Sequence, residues 1–334
     1  MKAIQFFILI CILVSCKKEN IYYYVNNKEI KDSTVIRFVD TELKKLDIDP
    51  KKKNLKIHTT LDSVSYQTNL DTIRAKVFEQ ASKDNYIPKD KALFDKWVRE
   101  KIIVVDNKTA KVVKFYSTFK NPKFDRNDLN MVGMKKLINM GSILNKNPNA
   151  KIPEDYLVTY SSAVILSDSS KIKENVVEFL SKFKVNHLDR RHYNLNFLSF
   201  PDAIKIFQMF NRNGIYKEPF SIKSILENNN SIYTHKEDSI SIVSPIAAKT
   251  IQNCLDYYKD HHYRISDSKV ESTQNLISFG VSPSYSLIIN DGKYTYFIYL
   301  TGAVVTDLHK KQSKMIPLTW MKRIGIHYYN AIRK

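Results

Sequence analysis

Two apolar segments near the C-terminal end restrict the fold most strongly, because a polar turn sequence separates them. Residues 284–289 and 294–300 are rich in Leu, Ile, Tyr and Phe, and Asn-Asp-Gly-Lys stands between them at 290–293. Apolar and aromatic runs on either side of an Asp-Gly pair are typical of a β-hairpin. Residues 101–106 and 111–116 repeat this arrangement around a second turn. The sequence therefore predicts an antiparallel sheet that contains both hairpins.

Segments with helical periodicity alternate with these strands. Their apolar residues recur at spacings of three and four, which predicts amphipathic helices. The predicted helices cover residues 33–46 with Ser33 as N-cap, 63–82, a stretch that starts near Gly133 after a polar loop, 155–166, 171–183, 201–213, 245–258 and a last helix opened by Pro317. Shorter strands are predicted at 55–58, 222–226 and 239–243, the last two joined across a turn at 228–230. Helices around an antiparallel sheet predict an α+β fold.

Composition is that of a globular protein, with 334 residues and 43% hydrophobic content. The formal net charge of +19 is large and would suit an anionic partner such as lipid head groups, wall polymers or nucleic acid. The lysines are scattered along the chain, however, and one of the densest runs is only residues 51–53. The seven glycines form no phosphate-binding loop. We therefore expect neither a nucleic-acid partner nor a cofactor.

The N-terminal segment has the pattern of an export signal. A lysine precedes an apolar stretch, residues 4–14, that is too short for a permanent membrane-spanning helix. The stretch ends in Leu-Val-Ser-Cys, which is typical of the bacterial signal cleaved before a lipidated cysteine. An ordinary signal peptide with a chance cysteine is the alternative. We expect residues 1–15 to be the signal, Cys16 to carry the lipid and residues 16–32 to be a tether. The protein would then be anchored to a membrane of the bacterial envelope, outside the cytoplasm.

The other cysteines, the histidine pair and the N-terminal tyrosines add little chemistry. Cys11 lies in the predicted signal, so Cys254 has no disulfide partner and is expected as a buried thiol on a helix. His261 and His262 are adjacent rather than four residues apart, so we expect no metal site there or elsewhere. Three tyrosines at residues 22–24 could stack on sugars or bases, but beside a lipid anchor they are expected to pack or to lie at the membrane interface.

Several short motifs follow one another in a fixed order along the chain. They lie at residues 54–62, 104–112, 124–126, 200–219, 244–255, 279–283 and 316–320. Their order and spacing resemble the linker and transpeptidase half of the class A penicillin-binding proteins. The first motif, Asn-Leu-Lys-Ile-His-Thr-Thr-Leu-Asp, resembles the segment before that family's transpeptidase domain. The resemblance covers roughly residues 33–324.

The resemblance implies a penicillin-binding transpeptidase fold, related to that of the serine β-lactamases. Residues 33–90 would be a linker or pedestal region, and residues 91–334 the transpeptidase-like domain. The family's glycosyltransferase domain has no counterpart here, and the predicted lipid anchor would replace its transmembrane helix. The partners that the resemblance implies are peptidoglycan and the proteins of cell-wall synthesis.

The resemblance also implies where catalytic groups should stand. The family acylates a serine, and a lysine one helical turn later takes the proton. Here the serine position falls on Met134, directly after Gly133, and the lysine corresponds to Lys136 or, with a one-residue gap, is lost. Because a thioether cannot be deprotonated, Met134 cannot serve as the nucleophile.

The family's second and third motifs are altered as well. Its Ser-x-Asn corresponds to Ser161 and Ala163, so the serine is kept and the substrate-holding amide is lost. Its Lys-Thr/Ser-Gly corresponds to Lys269 and Glu271, so a bulky carboxylate replaces a glycine. This carboxylate should obstruct substrate and repel a substrate carboxylate. With all three motifs altered, we expect a transpeptidase-like protein without catalysis.

Other readings of the sequence stay open. A literal Ser-x-x-Lys occurs at Ser117 and Lys120, although such pairs are expected by chance in a chain rich in serine and lysine. An active serine D,D-transpeptidase or acyl-transferase that uses Ser117 or Ser161 is therefore the first alternative to a binding or scaffolding protein. The second alternative is an unrelated envelope lipoprotein that acts as an interaction module.

Overall fold

The computed structural model describes most of the chain. The described residues are 21–50, 54–62, 66–84, 91–119, 132–159, 170–183, 200–262, 273–281, 284–302, 305–307, 312–314 and 318–333. The signal segment, Cys16 and the polar loop before Gly133 lie outside these ranges.

Nine helices and fourteen strands are found in the described part of the chain. The helices are α1 Ser33–Lys45, α2 Tyr66–Lys83, α3 Lys91–Trp97, α4 Val132–Lys146, α5 Tyr156–Thr159, α6 Ser170–Ser181, α7 Phe200–Asn211, α8 Pro245–His262 and α9 Leu318–Ile332. The strands are β1 Tyr22–Val25, β2 Lys28–Glu29, β3 Leu55–Thr59, β4 Val98–Asp106, β5 Val112–Ser117, β6 Ile215–Tyr216, β7 Ile222–Glu227, β8 Asn230–Thr234, β9 Ile240–Ser241, β10 Asn275–Val281, β11 Ser284–Asn290, β12 Tyr294–Gly302, β13 Val305–Asp307 and β14 Gln312–Lys314.

The central sheet has the strand order β10-β11-β12-β4-β5, and each neighbouring pair is antiparallel. Both predicted hairpins are confirmed as β11–β12 and β4–β5, and pairing between β4 and β12 joins them. Four successive residues of β12, from Thr295 to Ile298, are buried. Because neighbouring residues of a strand point to opposite faces, both faces of this sheet are covered.

Helices cover the central sheet. Helix α9 packs against β11, β12 and α2, whereas α4 and α8 pack against β10 and α7 packs against β11 and β12. The α+β class, with an antiparallel sheet flanked by helices, is therefore confirmed.

A second sheet, which we call the N-terminal sheet, has the order β2-β1-β3-β7-β8. The β1–β3 pair is parallel, and the other pairs are antiparallel. The sheet thus combines strands from the first sixty residues with a hairpin from the middle of the chain. Its inner side chains, which include Tyr23, Val25 and Ile57, are buried, and the hydroxyl of Tyr23 donates a hydrogen bond to Asp40 of α1. The proposed division at residues 33–90 and 91–334 stays a prediction.

Two local expectations are wrong. Helix α1 is capped by Asp32 rather than Ser33, because the Asp32 carboxylate accepts from two first-turn backbone N–H groups, at 2.7 and 3.1 Å. Strand β7 pairs with β8 rather than with residues 239–243. Asn228 and Asn229 both adopt positive φ, which closes a tight turn and returns the chain directly into β8.

Candidate functional site

Helix α4 begins at the stretch where the sequence places the altered nucleophile position. Its apolar stripe is fully buried and includes Met134, Leu137, Ile138 and Leu144. The helix packs against β10, α6 and α8. These contacts hold α4 against β10, the edge strand of the central sheet.

Lys136 is the fifth residue of α4 and is half-buried. Its Nζ donates a hydrogen bond to the backbone carbonyl oxygen of Leu157, in α5, at 3.1 Å. Burial lowers the pKa of Lys136, since the charged ammonium loses hydration. The lysine that the resemblance designates as a base is thus held by a backbone group of the neighbouring helix.

The spacing of residues on α4 allows two registers of the family motif to be compared. Residues three apart lie on one helix face. If Lys136 occupies the lysine position, the serine position is Gly133; if Met134 occupies the serine position, the lysine position is the buried Leu137. Glycine has no side chain, and methionine has no ionisable group. In both registers the nucleophile position lacks a nucleophile.

A buried polar pair connects α4 to α5 and was not anticipated from the sequence. Asn139 Nδ2 donates to the hydroxyl oxygen of Tyr156 at 2.9 Å. Ser142 is the single serine of α4, but it is buried and its Oγ donates to the backbone oxygen of Asn139 at 2.8 Å. The signal available in the sequence was an asparagine inside an otherwise apolar stripe. Ser142 is therefore no substitute nucleophile.

The residues assigned to the second and third motifs lie outside the described ranges. These residues are Ser161, Ala163, Lys269 and Glu271. Helix α5 ends at Thr159, two residues before Ser161, and β10 begins at Asn275. Both α5 and β10 contact α4. That the three motifs lie around one groove stays a prediction.

Ser117, the alternative nucleophile, lies at the end of β5 and is 7% exposed. Its Oγ accepts a hydrogen bond from the N–H of Phe119 at 3.1 Å. It borders a cavity of about 10 Å³ beside Asp32 and Leu70, enough for roughly one water molecule. Strands β5 and β10 form opposite edges of the five-stranded sheet, about 19 Å apart at normal strand spacing. Ser117 is therefore remote from β10, and Lys120 lies outside the described residues.

The other residues singled out in the sequence, Cys254 and the potential metal ligands, form no reactive centre among the described residues. Cys254 is a buried free thiol on α8, as predicted, and burial raises its pKa to about 12. A thiol with so high a pKa is unreactive at neutral pH. No cluster of three or more potential metal ligands occurs within the described ranges. Of the helices described, none has both the length and the apolar character needed to cross a membrane.

Comparison with known proteins detects structural likeness only. No protein-family model and no curated protein matches the chain by sequence. The penicillin-binding protein PonA1 from Mycobacterium tuberculosis superposes with a TM-score of 0.60 at 10% identity, covering 90% of this chain and 92% of that one.

Two further structures give a similar result. A peptidoglycan synthetase from Bifidobacterium adolescentis has a TM-score of 0.52 at 8% identity, covering 83% of this chain and 60% of its own. Penicillin-binding protein 2X from Streptococcus thermophilus has a TM-score of 0.50 at 16% identity, covering 83% of this chain and 52% of its own. At such low identity the likeness concerns the fold alone. The chain therefore has the transpeptidase-like fold of the penicillin-binding proteins.

Proposed function

We propose that this protein is a lipid-anchored component of the bacterial cell envelope whose transpeptidase-like domain binds peptidoglycan, or scaffolds its synthesis, without cross-linking it. The first turn of α4 carries the proposal. Gly133 and Met134 offer no hydroxyl or thiol, and the ammonium of Lys136 is hydrogen-bonded to a backbone carbonyl. Loss of a serine nucleophile costs on the order of 10⁶ in turnover. A weakened but useful transpeptidase is therefore not expected.

The fold supports the choice of ligand. Solved structures of similar fold include a peptidoglycan synthetase and penicillin-binding proteins. Lys136 provides a partly buried cation on α4, and its contact with Leu157 occupies one of three ammonium donors. A charge-assisted hydrogen bond from such a group would hold a carboxylate of a peptidoglycan stem peptide. Binding without turnover is the chemistry that these residues allow.

The lipid anchor rests on the sequence. Cys16 follows an apolar stretch of signal type, and it lies six residues before the first strand, at Tyr22. Two or three acyl chains on this cysteine would hold the protein stably at a membrane. Mass spectrometry of the protein purified from membranes tests the anchor independently of any ligand.

The replacement Lys136→Met is expected to weaken binding of a soluble peptidoglycan fragment with a complete stem peptide about 10-fold or more, because a charge-assisted hydrogen bond is lost. Isothermal titration of the mature chain measures the affinity. Lys146→Met is the matched control, since Lys146 is exposed at the other end of α4, where it pairs with Glu178. If Lys136→Met and Lys146→Met bind the fragment with equal affinity, Lys136 is not part of the binding site. If the unmodified protein releases D-alanine from the fragment during the titration, it is catalytically active and the proposal is wrong.

A further inference from the structure

One face of the N-terminal sheet carries a row of aromatic and basic side chains. We call this surface the outer face and define it by Tyr22, Tyr24, Lys56, His58 and Lys223. The first four alternate with buried residues along β1 and β3, so they point away from the core. In the parallel β1–β3 pair, Tyr22 stands opposite Lys56, and Tyr24 opposite His58.

The rings of the outer face stack on one another. The centroids of Tyr22 and Tyr24 are 6.3 Å apart, and those of Tyr24 and His58 are 5.3 Å apart, with interplanar angles of 24° and 20°. All three side chains keep part of their surface exposed. The stack therefore forms a preordered aromatic strip that loses little side-chain entropy on binding.

Positive charge surrounds this strip. Lys56 is two residues from His58 on β3, and Lys223 precedes Ser224 of β7, which pairs with His58. Burial lowers the pKa of His58, and the charges of Lys223 and Lys56 lower it further. Lys56 Nζ donates to Asn229 at 2.7 Å, whereas Lys223 is exposed. Among the described residues, the carboxylate of Glu29 is opposite Tyr24, and together with burial its charge raises the pKa of the Tyr24 hydroxyl. His58 is neutral at neutral pH, so the lysines give the outer face a net positive charge.

The outer face lies close to the proposed lipid anchor. Five residues separate Cys16 from Tyr22, so an extended chain of six Cα–Cα steps would span only about 20 Å. These residues include Lys17, Lys18 and Glu19, so they add one net positive charge. Because the segment between Cys16 and β1 is so short, the effective concentration of the outer face at the bilayer surface is high.

We propose that the outer face lies against the anionic surface of the membrane that holds the lipid anchor. Tyrosines favour the interface between lipid and water, where the ring is apolar and the hydroxyl is hydrated. Lysines nearby bind the phosphates of anionic head groups. Contact of this kind would fix the orientation of the N-terminal sheet, and with it the domain, above the bilayer. This inference rests on the lipid anchor proposed above.

Vesicle binding by the unlipidated mature chain tests the contact directly. The probe is residues 16–334 with Cys16→Ser, mixed at low ionic strength with vesicles of phosphatidylglycerol and phosphatidylethanolamine, or with phosphatidylcholine vesicles. We expect co-sedimentation with the anionic vesicles only, and weaker binding at high salt. Removing two lysines, as Lys56→Gln with Lys223→Gln, should weaken binding about 30-fold, since each contributes about 1 kcal/mol near an anionic surface.

A control variant of equal net charge distinguishes binding through the outer face from attraction caused by the positive charge of the whole protein. Lys151→Gln with Lys249→Gln removes two exposed lysines, one before α5 and one on α8, and it should change vesicle binding less than about threefold. The pair Tyr22→Ser and Tyr24→Ser should weaken binding at high salt too, with circular dichroism as the check on folding. Equal losses in the two lysine pairs would overturn the proposal. Binding to peptidoglycan sacculi instead of vesicles, lost with the tyrosine pair, would also overturn it and would assign the face to glycan. The probe carries no acyl chain, so a lack of vesicle binding would contradict the proposed contact without contradicting the lipidation of Cys16.

Discussion

Replacement of Arg74 by methionine is expected to lower the free energy of unfolding by about 3–5 kcal/mol, because it leaves a carboxylate buried without its partner. Arg74 on α2 is 6% exposed, and its guanidinium forms an ion pair with the fully buried Glu100 of β4. The same guanidinium donates to Asp95 of α3 at 2.9 Å, and Tyr328 of α9 donates to Glu100 at 2.9 Å. Helices α2, α3 and α9 are thus joined to β4 of the central sheet by one cluster around the buried Arg74–Glu100 pair.

The loss of unfolding free energy in the Arg74→Met variant should also depend on pH. Burial raises the pKa of Glu100, and the neighbouring Arg74 opposes that shift. Without Arg74, the folded-state pKa rises further above the unfolded value of about 4.3. Between these two pKa values the folded form binds more protons than the unfolded form, so stability falls as pH rises. We therefore expect a larger deficit at pH 8 than at pH 5.

Two further variants isolate the buried charge. Lys91→Met removes an exposed partner of the same Asp95, at 2.6 Å, and should cost less than about 1 kcal/mol. Glu100→Gln introduced together with Arg74→Met removes the unpaired carboxylate and should restore part of the lost stability. Urea denaturation followed by circular dichroism measures all three. If Arg74→Met costs no more than Lys91→Met, the ion pair does not stabilise this part of the fold.

The second large effect is expected for Gly214→Ala, which should cost about 3–4 kcal/mol. Gly214 follows α7 with a φ of +87°, and its N–H donates to the backbone oxygen of Met209 at 3.0 Å. A Cβ atom at this position would lie 2.0 Å from the backbone oxygen of Val243. Both the backbone conformation and the space around it therefore exclude a side chain.

Gly292→Ala is the matched control. Gly292 lies in the β11–β12 loop with a φ of +95°, and its Cβ would meet the end of the Gln274 side chain at 2.8 Å. That side chain can move, so the substitution should cost only the conformational strain, about 1–2 kcal/mol. Thermal unfolding of the two variants compares them directly. Equal losses would show that the contact with Val243 contributes nothing.

Local patterns in the sequence predicted the elements well. The hairpin at 284–300, the helix from Gly133 and the helix opened by Pro201 are all present, because periodicity and turn residues act within a few positions. The end of α7 shows the limit of this reasoning. The predicted helix ran to residue 213, but α7 ends at Asn211, and Asn213 already has positive φ, at 53°, one residue before Gly214.

Contacts between residues far apart in the sequence were harder to predict. The Arg74–Glu100 pair joins residues 26 apart, and Tyr328 comes from 228 residues beyond Glu100. Likewise, Met134 and Lys136 could be placed on one helix from the sequence, but the bond from Lys136 to Leu157 depends on how α4 and α5 pack. Periodicity identifies the buried side of a helix, whereas the partner of a buried polar group depends on packing.

Covalent labelling with a penicillin tests the absence of a nucleophile most directly. The mature protein is incubated with an excess of labelled penicillin, and intact-mass analysis is followed by peptide mapping. A transpeptidase-like domain without a nucleophile is expected to gain no mass, both before and after prolonged incubation. A hydroxylamine-sensitive adduct on Ser117, Ser161 or any other serine would contradict the account and identify the protein as an active acyl-transferase.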